Sequence, residues 1–201
     1  MLSLKKIAVT GGLASGKSTV CQMLKELGAY VVSADLIVHE LLSPDSTVGK
    51  QVIQQFGSDL VTDGRINRKK LADIVFSNPD QLRALEKILH PAVFEEIKKK
   101  YREVNDQNQY ALFVAEIPLL YEAHAEQDYD AVLTVSAPLE QCEKRFIEKD
   151  NHTEKEFKLR MGSQINPQEK VKKAHYVIEN NSTISELKNQ VIKIYSLLTS
   201  T

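Results

Sequence analysis

Tryptophan is absent from the chain, cysteine occurs only twice, and the charges nearly cancel. The two cysteines, Cys21 and Cys142, lie far apart and form no CxxC pair, so neither a disulfide framework nor a zinc site is expected. Both fall within predicted amphipathic helices, where cysteine serves as a small core residue. Lysine and arginine total 26 against 27 aspartates and glutamates, a net charge of -1, so the basic excess of a nucleic-acid binder is missing. The clusters Lys98–Lys100 and Lys172-Lys173 are local, and the first reads as a solvated helix face. No apolar run is long enough to span a membrane. Met1–Lys6 leads straight into a strand without a signal-peptide pattern, so a cytoplasmic protein with no membrane partner is expected. Eight glycines and six prolines form no low-complexity tract, and neither an internal repeat nor a clear linker is visible. The 42% of hydrophobic residues in 201 suffices for one globular domain carrying inserted lobes.

Lys5–Thr10 (KKIAVT) is a short apolar run ending in a glycine-rich turn, the pattern of a buried strand. From Lys17, Val20, Leu24 and Leu27 recur at helical spacing, and Gly28 stops the helix. A second strand follows at Tyr30–Val32, which makes a βαβ unit and a parallel sheet. Helical periodicity marks Val48–Phe56, Arg68–Phe76, Gln81–Leu89 and Pro91–Val104, with Pro91 placed in the first turn of its own helix. Ala111–Ile117 and Ala131–Val135 are continuous apolar runs, as expected of strands covered on both faces. Pro138–Glu148 reads as helix, and 150–173 as charged helix with a break at Asn166-Pro167. Tyr176–Glu179 and Ile184–Leu198 close the chain as strand and helix.

Gly11–Ser18 reads GGLASGKS and fits G-x-x-x-x-G-K-[ST] between a strand and a helix. Glycines at 11 and 16 allow backbone conformations that side chains obstruct. The loop then turns consecutive N–H groups toward phosphate at the positive end of a helix. Gly12, Ala14, Ser15, Gly16, Lys17, Ser18 and Thr19 are the expected nucleotide-binding set. Lys17 reaches the β- and γ-phosphates, Ser18 holds Mg²⁺, and Thr19 meets the α-phosphate.

Nucleotide binding alone leaves switch, motor and kinase open. No glycine has aspartate three residues before it and NKxD is absent, so the GTPase switch motifs are missing; no apolar strand ends in the aspartate of ATPase motors. Asp35 ends VVSAD, and ligands of open α/β sheets bind beyond the carboxyl ends of strands. Two readings stand there: a carboxylate that takes a proton from an attacking hydroxyl or orients it, and a helix N-cap before Leu36-Ile37-Val38. Glu116 in AEIPLLYE is also open to two readings, a contact to Mg²⁺ through water or to substrate, and an ordinary strand-end charge. Arg145, Lys149, Arg160, Lys170, Lys172 and Lys173 populate a segment suited to a cationic lid; solvated surface is the default for most, and Arg145 and Arg160 are the preferred lid residues.

Together the motifs resemble the dephospho-coenzyme A kinase family. They run in order as TGGLASGKST, SAD with LIVHEL, DGRINRKKLADIVFSNPDQLRALEKILHP, EIPLLYE, the QCEKR region, RMGSQINPQEK and YVIEN. The resemblance covers almost the whole chain. It implies transfer of the ATP γ-phosphate to the ribose 3′-hydroxyl of dephospho-CoA, giving coenzyme A in the last step of its biosynthesis. It also implies a P-loop kinase fold: one domain over 1–201 with a five-stranded parallel sheet flanked by helices, a helical CoA-binding insertion near 36–108 and a small lid near 145–172. Carried over by position, Lys17 and Ser18 serve phosphates and Mg²⁺, Asp35 is the base, Arg145 contacts nucleotide and 65–90 lies on the acceptor side. His90 gains no assigned role by this route. Three positions depart from the family pattern: Ser33 for the first Asp of DAD, Lys149 for an Arg, which weakens bidentate phosphate contact, and His175 for an Asp. Asn180 and Asn181 follow the last strand, on the side of adenine. A monomer or weak homo-oligomer is expected. The rival readings are a kinase for another small acceptor such as a nucleoside monophosphate, which the Gly64–Pro91 run disfavours, and a nucleotide-dependent switch or binding module.

Overall fold

The computed structural model describes residues 4–150 and 152–200. The reading of the N-terminal segment falls in part on Met1–Ser3, outside the described residues. The elements are, in order, β1 (Lys5–Gly11), α1 (Lys17–Glu26), β2 (Tyr30–Ser33), α2 (Ala34–Leu41), α3 (Thr47–Phe56), β3 (Val61–Thr62), β4 (Arg65–Ile66), α4 (Arg68–Phe76) and α5 (Pro79–Gln107). They continue as β5 (Leu112–Glu116), β6 (Ala131–Ser136), α6 (Leu139–Asp150), α7 (Glu154–Gly162), α8 (Pro167–Lys173), β7 (Tyr176–Glu179) and α9 (Ile184–Thr199). The chain divides into two compact units, one of the described residues through Ser33 and from Tyr101 onward, the other Ala34–Lys100.

The first unit is built on a five-stranded sheet in the order β2-β5-β1-β6-β7, with every pairing parallel. The expected α/β architecture is therefore present. Its central strands are apolar because both faces are covered: β5 is buried throughout, and β1 and β6 along nearly their whole length. Val20 and Leu24 of α1 and Leu187 and Val191 of α9 pack with Ile7, Val9, Leu133 and Ile178 in one core cluster. Each such side chain contributes about 1.5–3 kcal/mol by leaving water. Register aligns the carboxyl ends: Val9 and Ser33 pair with Glu116, Gly11 with Val135, and Ser136 with Glu179. That edge is where an open α/β sheet takes its ligand.

The charged stretch read as broken helix resolves into α7 and α8. Thr153 starts α7 with a reciprocal capping box to Glu156, and Asn166 caps α8 with Pro167 in its first turn. Phe157 joins Cys142 and Phe146 of α6 in a small apolar cluster against Leu13 and Ala14 of the glycine-rich loop.

The second unit is helical around Leu42, Val52, Leu60, Leu71, Val75, Leu85 and Leu89. Ser46 and Asn67 cap α3 and α4. Three sequence readings are corrected. Pro91 does not begin a helix: α5 runs through it as one 29-residue helix. The buried stripe Leu85, Leu89, Val93, Ile97 and Val104 continues on both sides of the proline, and its burial outweighs the one hydrogen bond to the Lys87 carbonyl that Pro91 cannot donate. Asp35 is not an N-cap, because β2 runs directly into α2 and places Asp35 inside the first turn. A hairpin of β3 and β4, unforeseen as strands, turns at Asp63-Gly64 with φ of 51° and 70°, the two positive angles of a type I′ turn.

Candidate active site

The glycine-rich loop connects the end of β1 to the start of α1, and its glycines are required by close approach. A Cβ on Gly11 would stand 2.3 Å from the Val135 carbonyl oxygen of the neighbouring strand. Gly16 has φ 98°, and a Cβ there would stand 2.2 Å from the Asn180 side-chain nitrogen. Ala14 holds φ 53° without being glycine, a local strain of the kind found at ligand-binding turns. Because α1 begins at Lys17, the N–H groups of its first turn have no intrahelical acceptor, and the partial positive charge of the helix end lies at the loop.

Lys17 is buried, with its Nζ donating to the carbonyl oxygens of Gly11 at 3.2 Å and Gly12 at 2.8 Å. The ammonium is thus folded over the loop it serves. Ser18 Oγ donates to Glu116 Oε1 at 2.7 Å, joining the helix start to the end of β5. Hydroxyl and carboxylate oxygens are donors of the kind hard cations take. Among the described residues no cluster of three or more His, Cys, Asp or Glu could hold a metal alone. The donor set fits Mg²⁺ carried by nucleotide phosphates with most of its water retained. Burial, and secondarily the Glu116 carboxylate, pushes the Cys21 thiol well up, so it stays protonated beside the site.

Asn180, just beyond β7, donates its side-chain N–H to the Ser15 carbonyl at 2.8 Å. Its own carbonyl accepts from Arg145 Nη2 at 3.4 Å, and that nitrogen also donates to Gln141 Oε1 at 3.1 Å. Arg145 Nη1 is buried and meets no hydrogen-bond partner among the described residues. Buried side-chain donors are paired as a rule, and a guanidinium is suited in charge and geometry to an anionic oxygen. A cavity of about 580 Å³ opens beside the loop, lined among others by Gly12, Ser15, Ser136, Cys142, Gln164 and Pro167.

Lys17, Ser18, Glu116, Arg145 and Asn180 therefore meet at one edge of the first unit. The other cations do not join them. Arg160 stacks over Phe146, Lys172 pairs with Glu169 at 2.7 Å, Lys149 is exposed and Lys173 lies over Tyr121. For Lys170 the surface default is wrong: it is fully buried against Glu122, whose charge partly offsets the desolvation. His175 Nδ1 accepts from the Val132 N–H at 3.1 Å, so the residue that departs from the family pattern supports the β6–β7 edge. Asn181 bonds Glu179 rather than the loop. His90 stacks edge-on with Phe94, and Asp35 belongs to the other unit. Asn180 was placed only on the side of adenine by sequence; what links it to the loop is an asparagine just past the last strand of a doubly wound sheet.

Comparison with known proteins agrees with this geometry. The family model for dephospho-CoA kinase matches residues 5–186. A dephospho-CoA kinase of Protochlamydia amoebophila is 47% identical over 199 residues, covering 98% of each chain. Among solved structures, TT1252 from Thermus thermophilus superposes with a TM-score of 0.79 at 31% identity over 95% of both chains. The dephospho-CoA kinase of Campylobacter jejuni gives a TM-score of 0.71 at 29% identity over 97% of both. With the phosphate loop, the sheet order and this full-length likeness in agreement, the chain belongs to the dephospho-CoA kinase family.

Proposed function

We propose that the protein transfers the γ-phosphate of ATP to the 3′-hydroxyl of dephospho-CoA, releasing coenzyme A and ADP in the cytoplasm. The observation that carries the catalytic reading is the Ser18–Glu116 hydrogen bond of 2.7 Å beside the Lys17 ammonium. It sets a metal-binding hydroxyl next to a phosphate cation at the helix start. Phosphoryl transfer needs little covalent help from a protein and depends on positioning and charge. The backbone N–H groups from Gly12 to Thr19 cradle the phosphates. Lys17 exchanges its two carbonyl acceptors for the β- and γ-phosphate oxygens. Ser18, oriented by Glu116, would hold Mg²⁺, which would supply neutralising charge to the phosphate oxygens. Arg145 directs Nη1 to the nucleotide, with Asn180 fixing its position. Asp35 accepts the hydroxyl proton as general base, worth roughly 10²–10⁴ in rate.

Support for the acceptor comes from the family and from the Gly64–Pro91 sequence run. The test is ADP release with dephospho-CoA, adenylate, cytidylate and pantetheine as acceptors. Turnover with dephospho-CoA and at most weak turnover with the others is expected; a preference for either nucleoside monophosphate refutes the assignment.

A further inference from the structure

Lys170 is out of place by every surface rule. It sits on the seven-residue helix α8 among exposed Gln168, Glu169, Lys172 and Lys173, yet its side chain is completely buried. Its Nζ donates to Glu122 Oε1 at 2.8 Å and to the Pro118 carbonyl at 2.7 Å, and its own carbonyl accepts from Thr134 Oγ1 at 3.3 Å. Two of these partners, Pro118 and Glu122, lead back to the phosphate loop. The Pro118 carbonyl also accepts from Thr10 Oγ1 at 3.2 Å, one residue before Gly11. Glu122 Oε1 also accepts the Ile165 N–H at 3.0 Å. Two residues on, Pro167 lies against the loop, where a Cβ on Gly12 would meet its Cγ at 3.3 Å. Thr10, Pro118, Lys170, Glu122, Ile165 and Pro167 thus close a ring of contacts around the first residues of the loop. Gln164, Asn166, Pro167 and Gln168 form one wall of the adjoining cavity.

We propose that Lys170 and Glu122 are positioning residues for nucleotide binding: an internal strut that sets the 163–168 segment against the phosphate loop. The inference rests on the kinase reading above. A buried ion pair is a poor device for stability, since desolvation consumes most of its attraction and apolar residues of similar volume do as well. Here burial depresses the Lys170 pKa, and Glu122 only partly offsets this. What the pair supplies instead is geometry. One ammonium and one carboxylate oxygen pin three segments, β5's outgoing loop, α8 and the irregular stretch at Ile165, in fixed relation to the phosphate loop.

The decisive variant replaces both charges by apolar groups, Lys170→Met with Glu122→Leu, in the full chain. Removing the whole pair leaves no buried charge unpaired, so the protein should melt within a few degrees of wild type. The Ile165 N–H nevertheless loses its acceptor. Binding of a fluorescent ATP analogue, measured without acceptor, should weaken roughly tenfold. Amide exchange should quicken in 163–168 and stay unchanged in β1 and β6. A double variant with wild-type affinity, or one whose exchange rises equally through the sheet, overturns the proposal. If the double variant does not fold, Glu122→Gln decides, since it keeps size and an acceptor oxygen. It should weaken the analogue roughly threefold with local exchange raised, and unchanged affinity and exchange refute the strut. Wild-type protein that binds the analogue but leaves dephospho-CoA unphosphorylated refutes the assigned reaction and not this inference.

Discussion

Replacing Gly16 by alanine sets two identifiable costs against each other. The residue holds φ 98°, where an L side chain is strained by about 1–3 kcal/mol. The new Cβ would also stand 2.2 Å from the Asn180 side-chain nitrogen. Nothing closes such a contact except movement of the asparagine, which breaks its 2.8 Å bond to the Ser15 carbonyl, worth about 1 kcal/mol. Gly16→Ala should therefore lose about 2–4 kcal/mol in all, a fall in melting temperature of roughly 5–15 °C for a chain of this size. Asn180→Ala should lose only the bond, about 1 kcal/mol. The bond can be lost only once, so the double variant should be no less stable than Gly16→Ala alone, and the cycle should show a coupling of about 1 kcal/mol. Urea unfolding of the four proteins, followed by circular dichroism, measures each term. If the two single losses add to within about 0.5 kcal/mol in the double variant, the collision is not what makes Gly16 necessary. ATP affinity in the same variants supplies an independent check, because only the backbone strain disturbs the phosphate cradle directly. Both alanine-16 proteins should bind ATP far more weakly than Asn180→Ala.

Glu116→Gln removes the charge that orients Ser18 and should weaken Mg²⁺ dependence of turnover by roughly 10–100-fold, seen as a shift of the metal titration; an unshifted titration removes Glu116 from the metal site. Asp35→Asn should reduce kcat roughly 10²–10⁴-fold. Placed in the first turn of α2, its carboxylate supports the helix by about 0.3–1 kcal/mol, so the melting temperature should move little, and a fully active Asn variant would end the general-base assignment. The Thr153 N–H and then its hydroxyl hold Glu156 down to about 2, below its ordinary value, so its support of α7 is complete above that ordinary value and is lost as pH falls toward 2. Amide protection in α7 should follow that acid window in the wild type; Thr153→Ala, which keeps the N–H bond and loses only the hydroxyl, should narrow the window, and Glu156→Gln should abolish it.

Local rules carried the sequence reading where the determinants are local. GGLASGKS specifies its strand–loop–helix because the glycines and the helix start lie within eight residues. Arg68–Phe76 was bounded correctly because periodicity and turn signals coincide, and Asn67 caps it there. The same reliance misplaced Pro91. Proline at a helix start is a sound local preference, but the stripe Leu85, Leu89, Val93 and Ile97 is a tertiary fact that overrides it. The Asp63-Gly64 hairpin carried a readable signal, since Asp-Gly favours the positive φ angles of a type I′ turn, but its two-residue strands are too short for alternation to show. Lys170 carried no signal at all. Glu169, Lys172 and Lys173 beside it are charged and exposed, and only folding brings Lys170 to Glu122 and Pro118.

One group of unfavourable features in the first unit has a common physical reading. Buried Lys17, buried Lys170, the Ser15 hydroxyl and Arg145 nitrogen that have no hydrogen-bond partner among the described residues, and the positive φ of Ala14 all gather around the loop from Gly11 to Lys17. Most of the rest of the sheet core is apolar, with Ile7, Leu24, Phe113, Leu133 and Ile178 almost wholly buried. A chain selected for stability alone would place apolar side chains at these positions and relax the turn. The features persist because the core supplies enough stability to hold them, and because a phosphate site needs what stability does not: backbone donors left open, cations held ready and a cavity kept polar. Asn180 and Glu122 belong to that set although neither needs to touch phosphate. One fixes the loop from the β7 side through Ser15, the other from the α8 side through Ile165, and between them the loop is held in the conformation that binding would otherwise have to impose.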